Sequence, residues 1–274
     1  MSFPERLAAV VHARGPLCAG IDPHAGLLAE WGLADDVAGL ERFALTAVEG
    51  LAPYVAVVKP QSAFYERFGS RGVAVLERVI AESRAAGALV LLDVKRGDIG
   101  STSQAYADAY LDPASPLASD AITVSPYLGF GSLDPFVETA RRHDAGLFVL
   151  GLTSNKEGPE VQRAVTDTGE TVAERMFDHL RSLNAGAAPY GPFGAVVGAT
   201  IGAPPDRDGV SPLDFNGPIL APGFGEQGGT AADIRRIFAG LPVLPSSSRG
   251  LLRQGPSPDA LRDAARRTND ELGA

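Results

Sequence analysis

Eight times along the chain a short apolar run ends in polar residues and gives way to a stretch with helical periodicity. No other feature limits the possible folds so tightly. The runs Leu17–Ile21, Tyr54–Val58, Ala88–Leu92, Ala121–Val124, Leu147–Leu150, Ala195–Gly198, Ile219–Leu220 and Val243–Pro245 read as strands. Helices are expected at 3–14, 37–51, 70–86, from Gly97 onward, from Ser132 or Asp134, within 159–184, at 230–240 and at about 258–270. The 37–51 segment carries Leu40, Phe43, Ala44, Ala47 and Leu51 on one stripe, and Gly87 stands where a helix C-terminus favours glycine. Residues 204–217 are rich in Pro, Gly and Asp and are expected to be irregular.

Strands alternating with helices imply a parallel sheet, and eight such units in a chain of 274 residues match a closed (β/α)8 TIM barrel in one α/β domain spanning 1–274. An open doubly wound sheet fits less well, because no Gly-rich dinucleotide fingerprint follows the first strand. In a barrel the working face lies at the C-terminal strand ends. Those ends carry Asp22, Lys59, Asp93, Lys95, Ser125, Thr153, Thr200, the loop Pro222–Gln227 and Ser246–Gly250, whereas the segments entering the strands carry Ala, Gly and Pro.

The net charge of −9 argues against general nucleic-acid binding, so an anionic ligand must be held by local cations and backbone amides. No apolar run approaches the ~20 residues of a membrane span, and nothing resembles a signal peptide; cytoplasm is the expected location. The single cysteine, Cys18, sits in an apolar run and is expected in the core. His12, His24, His143 and His179 show no ligand spacing, so no metal site is expected.

The densest chemistry is in Asp93-Val94-Lys95-Arg96-Gly97-Asp98, four charges in six positions. Alternation along a strand turns Asp93 and Lys95 to one side and Val94 to the other. Unpaired buried charge is expensive, so these groups need partners, and the neighbouring strand end offers Lys59. Asp98, Thr102 and Ala105 are expected to share one face of the following helix. Late in the chain, the glycines of 222–229, including Gly225, together with Arg249 and Gly250, look like a phosphate site at the loops after strands seven and eight.

At this point the chain resembles a known family. Asp93-Val94-Lys95-Arg96-Gly97-Asp98-Ile99-Gly100-Ser101-Thr102 resembles the signature of orotidine 5′-phosphate decarboxylases, in their longer bacterial subgroup. The likeness extends through Ala19–Asp22, Val57–Pro60, Thr153–Asn155, Val197–Thr200 and Pro222–Gln227, with Phe224 where the family usually has a small aliphatic residue.

The resemblance implies decarboxylation of orotidine 5′-phosphate to UMP, the last step of pyrimidine nucleotide synthesis, without metal or organic cofactor. It implies a Lys59-Asp93-Lys95-Asp98 array with Lys95 as proton donor to C6 and Asp93 against the departing carboxylate. Asp22 and Lys59 would bind ribose hydroxyls, Ser125 and Gln227 pyrimidine and phosphate, and Arg249 the phosphate. Asp98 and Thr102 would be delivered across a homodimer interface. Two rivals remain: a metal-dependent sugar-phosphate enzyme of the same superfamily, and a non-catalytic nucleotide-binding barrel. The first usually adds an acidic ligand where this chain has Lys59-Pro60-Gln61.

Overall fold

The eight apolar runs pair in chain order and close on themselves. The structure, a computed structural model, describes residues 1–201, 211–225 and 228–273. Its strands are β1 (Cys18–Ile21), β2 (Val57–Pro60), β3 (Leu89–Arg96), β4 (Ala121–Val124), β5 (Gly146–Leu152), β6 (Phe193–Val197), β7 (Ile219–Pro222) and β8 (Val243–Ser247). All neighbours are parallel, and β8 returns to β1 through the pairs Cys18–Ser246 and Ala19–Ser247. The expected (β/α)8 barrel is the observed fold.

The helices are α1 (Phe3–Arg14), α2 (Ala25–Glu30), α3 (Val37–Leu51), α4 (Ala63–Glu66), α5 (Gly69–Ala85), α6 (Gly100–Leu111), α7 (Asp134–Arg142), α8 (Pro159–Gln162), α9 (Val172–Leu183), α10 (Ala231–Ile237), α11 (Arg249–Leu252) and α12 (Pro258–Leu272). Local chemistry starts several of them. Asp36 accepts from the Gly39 amide at the head of α3, and capping boxes formed by Thr171 with Glu174 and Thr230 with Asp233 start α9 and α10. The α3 stripe is buried as its spacing requires.

Two differences from the sequence reading matter for the site. Tyr54 lies in a 3-10 turn, Ala52–Tyr54, with Pro53 near its start, so β2 begins only at Val57. Helix α6 begins at Gly100, so Asp98 lies on its extended lead-in and does not share a helical face with Thr102.

Two cores divide the labour. One fills the space between barrel and helices; the other fills the barrel floor with Cys18, Val57, Leu89, Leu91, Ala121, Phe148, Val196, Leu220 and Leu244, sealed from below by Phe3 and Leu7 of α1. A Cβ at position 146 would stand 2.3 Å from the Phe3 ring, so Gly146 leaves the room the plug needs. Burying Phe3 stabilises the fold by about 2–3 kcal/mol.

Candidate active site

On β1, β2, β3, β4 and β8 the inward-facing row changes from apolar to polar as it climbs from floor to mouth. Cys18 leads to Gly20 and Asp22, Val57 to Lys59, Leu91 to Asp93 and Lys95, Ala121 to Thr123, and Leu244 to Ser246 and Ser248. This follows from the period of two: once Leu89 and Leu91 face the floor core, Asp93 must face the same interior higher up. The upper residues line a cavity of about 390 Å³.

Around Asp93 the geometry is tight. Lys95 Nζ lies 2.8 and 2.7 Å from Asp93 Oδ1 and Oδ2. Lys59 Nζ lies 3.5 Å from Asp93 Oδ2 and 4.0 Å from Asp22 Oδ2. The Gln61 amide donates to Asp22 Oδ1 at 3.1 Å, and the Ser62 amide to the Asp93 carbonyl at 3.2 Å. Asp22, Lys59 and Asp93 are buried, whereas the Lys95 side chain remains 44% exposed to the cavity.

Burial would raise the Asp93 carboxyl, but Lys59, Lys95 and Thr123 outweigh it and hold the group below the usual carboxylate range. Burial would lower the Lys59 ammonium, yet Asp22 and Asp93 raise it above the ordinary lysine value. Asp93 and Lys59 therefore stand charged at neutral pH.

A backbone irregularity brings Lys95 onto Asp93. Between Leu92 and Arg96 the β3–β4 register shifts, four steps along β3 matching two along β4, and Lys95 adopts φ +47°. A regular strand would hold same-side residues two apart at nearly 7 Å; the bulge lets their charged ends meet. The next residue turns away: Arg96 reaches Glu66 at 2.6 Å and the Tyr110 hydroxyl, tying β3 to α4 and α6. Arg96 is thus a strut between barrel and helices.

Arg249, at the start of α11, lines the same cavity with Ser248, Gly223 and Phe224. The apolar side of the cavity is Leu150, Val196 and Leu220. Thr153, Ser154 and Asn155 form a polar lip, held by Gln162, whose side chain bonds both the amide and the hydroxyl of Thr153. The site thus joins lysine ammoniums, an apolar side and a guanidinium in one cavity.

The structure brings together Asp22, Lys59, Asp93, Lys95 and Arg249. Five other candidates stand apart from the cavity lining. Asp98 accepts from the Ile99 amide, and Thr102 is exposed on the first turn of α6. Ser125 is half-buried, its amide bonded to the Arg96 carbonyl. The Gly225 amide is taken by the Gly229 carbonyl, and Gly250 is exposed. Gln227 lies outside the described residues, as do 204–210 of the segment expected to be irregular.

Ser246 and Ser248, expected at the eighth strand end, are in the lining, whereas sequence reasoning missed Thr123 and His24. It passed over Thr123 by reading the end of the fourth strand instead of its inward side. His24 was set aside for lack of metal-ligand spacing; here it packs against Phe64, with ring centroids 4.1 Å apart. Among the described residues no group of three or more His, Cys, Asp or Glu side chains could hold a metal ion.

Comparison with known proteins agrees with this geometry. The family profile described as "Orotidine 5'-phosphate decarboxylase / HUMPS family" matches residues 15–261. An orotidine 5′-phosphate decarboxylase of Nocardioides sp. is 74% identical over 274 residues, covering 98% of each chain. One from Streptomyces coelicolor is 61% identical over 272 residues, covering 98% of this chain and 96% of its own. A crystal structure from Streptomyces avermitilis superposes with a TM-score of 0.95 at 61% identity, covering 99% of this chain and 95% of that one. The Leishmania donovani OMP decarboxylase structure superposes at 0.76 with 32% identity, covering 100% and 98%.

Proposed function

We infer the chemistry of the mouth from one premise: this chain belongs to the orotidine 5′-phosphate decarboxylase family and converts orotidine 5′-phosphate to UMP and carbon dioxide. The observation that carries our mechanism is the clamp of the Lys95 ammonium by both Asp93 oxygens, in the cavity that Arg249 also lines.

With the substrate phosphate on Arg249, the pyrimidine lies along Leu150, Val196 and Leu220, and its carboxylate faces Asp93 and Lys95. The bond from C6 to the carboxylate breaks, its electron pair stays on C6, and carbon dioxide leaves. Lys95 Nζ gives a proton to C6 and regains one from solvent. Like charge on Asp93 disfavours the bound carboxylate relative to the transition state, in which negative charge moves to C6. The Lys95 and Lys59 ammoniums already stand where that charge develops. Asp22 and Lys59 hold the ribose hydroxyls.

Magnitudes require the parts to act together. A rate enhancement near the upper range lowers the barrier by about 23 kcal/mol. One proton donor supplies roughly 100- to 10,000-fold. The remainder must come from fixed charges and from phosphate binding that holds C6 against them.

We also propose that residues 1–274 act as one domain, in the cytoplasm, as a homodimer in which Asp98 and Thr102 reach the partner's ribose. Supporting this are their places outside the chain's own cavity lining, Asp98 half-buried and Thr102 exposed, and three exposed apolar residues, Ile99, Tyr127 and Leu128, on the loops after β3 and β4. No described helix is long and apolar enough to cross a membrane. Mixing inactive Lys95→Ala with inactive Asp98→Ala should restore part of the activity, because a mixed dimer contains one intact site. No recovery on mixing would rule out sharing.

The direct test follows loss of orotate absorbance when purified protein meets orotidine 5′-phosphate. Wild type should consume the substrate, and Lys95→Ala should be slower by at least about 10,000-fold. A Lys95→Ala variant with wild-type kcat would refute the assigned role.

A further inference from the structure

The Asp93–Lys95 pair depends on a side chain from the next strand. Thr123, on β4, is 1% exposed, faces the interior and lines the cavity beside the pair. Its hydroxyl makes two hydrogen bonds. Thr123 Oγ1 donates to Asp93 Oδ1 at 2.7 Å and accepts from the Lys95 amide at 2.9 Å. The bulge in β3 is what makes the second bond necessary: where the ladder slips, Thr123 takes up the amide of a residue held at φ +47°.

A hydroxyl has a single hydrogen. With the Lys95 amide hydrogen already directed at the oxygen, the Thr123 hydrogen is free to point at Asp93 only. Asp93 is thereby met by a donor, which suits its ionised form and disfavours a protonated one. One small side chain thus orients the carboxylate and supports the backbone conformation of the lysine beside it.

We propose that Thr123 is a positioning residue for decarboxylation: through these two bonds it orients the Asp93 carboxylate and keeps Lys95 aimed at the substrate. The proposal rests on the reading of Lys95 as proton donor. Thr123 reacts with nothing itself. Its contribution lies in geometry, and a displacement of about 1 Å at a reacting group costs about 100-fold in rate.

Charged groups face Asp93 from β2 and from β3 itself, while β4 presents the Thr123 hydroxyl. Lys59 on β2 and Lys95 on β3 favour its ionised form, while Asp22 beyond β1 and the Cys18 thiol on β1 interact with Lys59. Removing the Thr123 hydroxyl leaves the two lysines in place, so the Asp93 carboxyl should rise part of the way and remain ionised at neutral pH.

The test compares Thr123→Val, which keeps shape and loses both bonds, with Thr123→Ser, which keeps both. Thr123→Val should lower kcat by about 10- to 100-fold. It should leave UMP affinity within about twofold, because product carries no carboxylate to set against Asp93. The acid limb of its kcat–pH profile should move up by about one unit. Thr123→Ser should restore both kcat and the limb.

Wild-type kcat and pH profile in Thr123→Val would overturn the proposal. So would a fall in kcat with an unmoved acid limb and no rescue by serine, which is the signature of packing alone. Lys95→Ala, assayed alongside, separates the two claims. If it keeps full activity, the assignment of Lys95 fails; if it is inactive while Thr123→Val is normal, only the role of Thr123 fails. Thr123→Val protein that binds no UMP is misfolded, and Thr123→Ser with a normal fold then decides: wild-type kcat and limb support the proposal, and an upward-moved limb overturns it.

Discussion

The two ends of the barrel each hold a buried carboxylate among cations, and they use it differently. At the floor, Asp120 is met by Arg6, by Arg84 Nε at 3.2 Å and by the Val90 amide at 2.9 Å. Arg6 also donates to the Asp144 carbonyl, so the network ties α1 and α5 to the entrances of β3, β4 and β5. At the mouth, Asp93 is met by two lysines and a hydroxyl, and the Lys95 ammonium opens onto a cavity. Planar guanidinium forks suit fixed joints, whereas an ammonium on a flexible stem can approach a substrate and give up a proton. Charge density alone therefore does not mark a reactive site. The adjoining open volume and the kind of cation do.

If that contrast holds, mouth substitutions should change rate without changing stability, and floor substitutions the reverse. Among variants that leave the Asp93–Lys95 pair intact, the largest of these effects is expected for Arg249→Ala, with kcat/KM down on the order of 1,000-fold and an unchanged melting temperature. A variant equal to wild type in kcat/KM would break the link between phosphate binding and chemistry.

Phe3→Ala at the floor should cost about 3 kcal/mol in urea unfolding while leaving kcat of the folded enzyme unaltered. A matching loss of kcat would show that the two ends are coupled. Asp120→Ala should cost about 2 kcal/mol at neutral pH. Burial opposes ionisation there, but Arg84, the Val90 amide and Arg6 hold the Asp120 carboxyl below its ordinary value. A depressed folded value contributes stability above the unfolded pKa of about 3.9, lost as pH falls through the folded value. The gap between wild type and variant should therefore close in acid, as read from unfolding at pH 7 and below pH 4. The smallest effect expected is that of excess chelator on decarboxylation, which should be nil; loss of activity would favour the metal-dependent rival.

The sequence carried the barrel because its signal was repeated eight times, so errors of a few residues at Tyr54 or Gly97 did not disturb the order. Lys59, Asp93 and Lys95 were legible because charges at the ends of apolar runs are rare. Thr123 was not, since Ala121-Ile122-Thr123-Val124 has no polar alternation to reveal which side faces inward. That register is set by pairing with β3 and β5, a relation between distant segments. The bulge that closes Lys95 onto Asp93 was equally hidden: no glycine marks the residue with positive φ. Arg96 looked like part of the charge cluster until its partners Glu66 and Tyr110 came into view from two separate helices.

One measurement bears most directly on the ammonium at position 95. Cys18 is fully buried, and burial pushes its thiol up to about 12, so it is inert to alkylation in the folded protein. In Lys95→Cys the new thiol is the one that 2-bromoethylamine can reach, and its alkylation rebuilds a side chain of nearly lysine length ending in an ammonium. The unmodified variant should be inactive toward orotidine 5′-phosphate, and the aminoethylated one should regain a large part of wild-type kcat. Full activity before alkylation, or none after complete modification of a folded protein, would contradict the role given to Lys95.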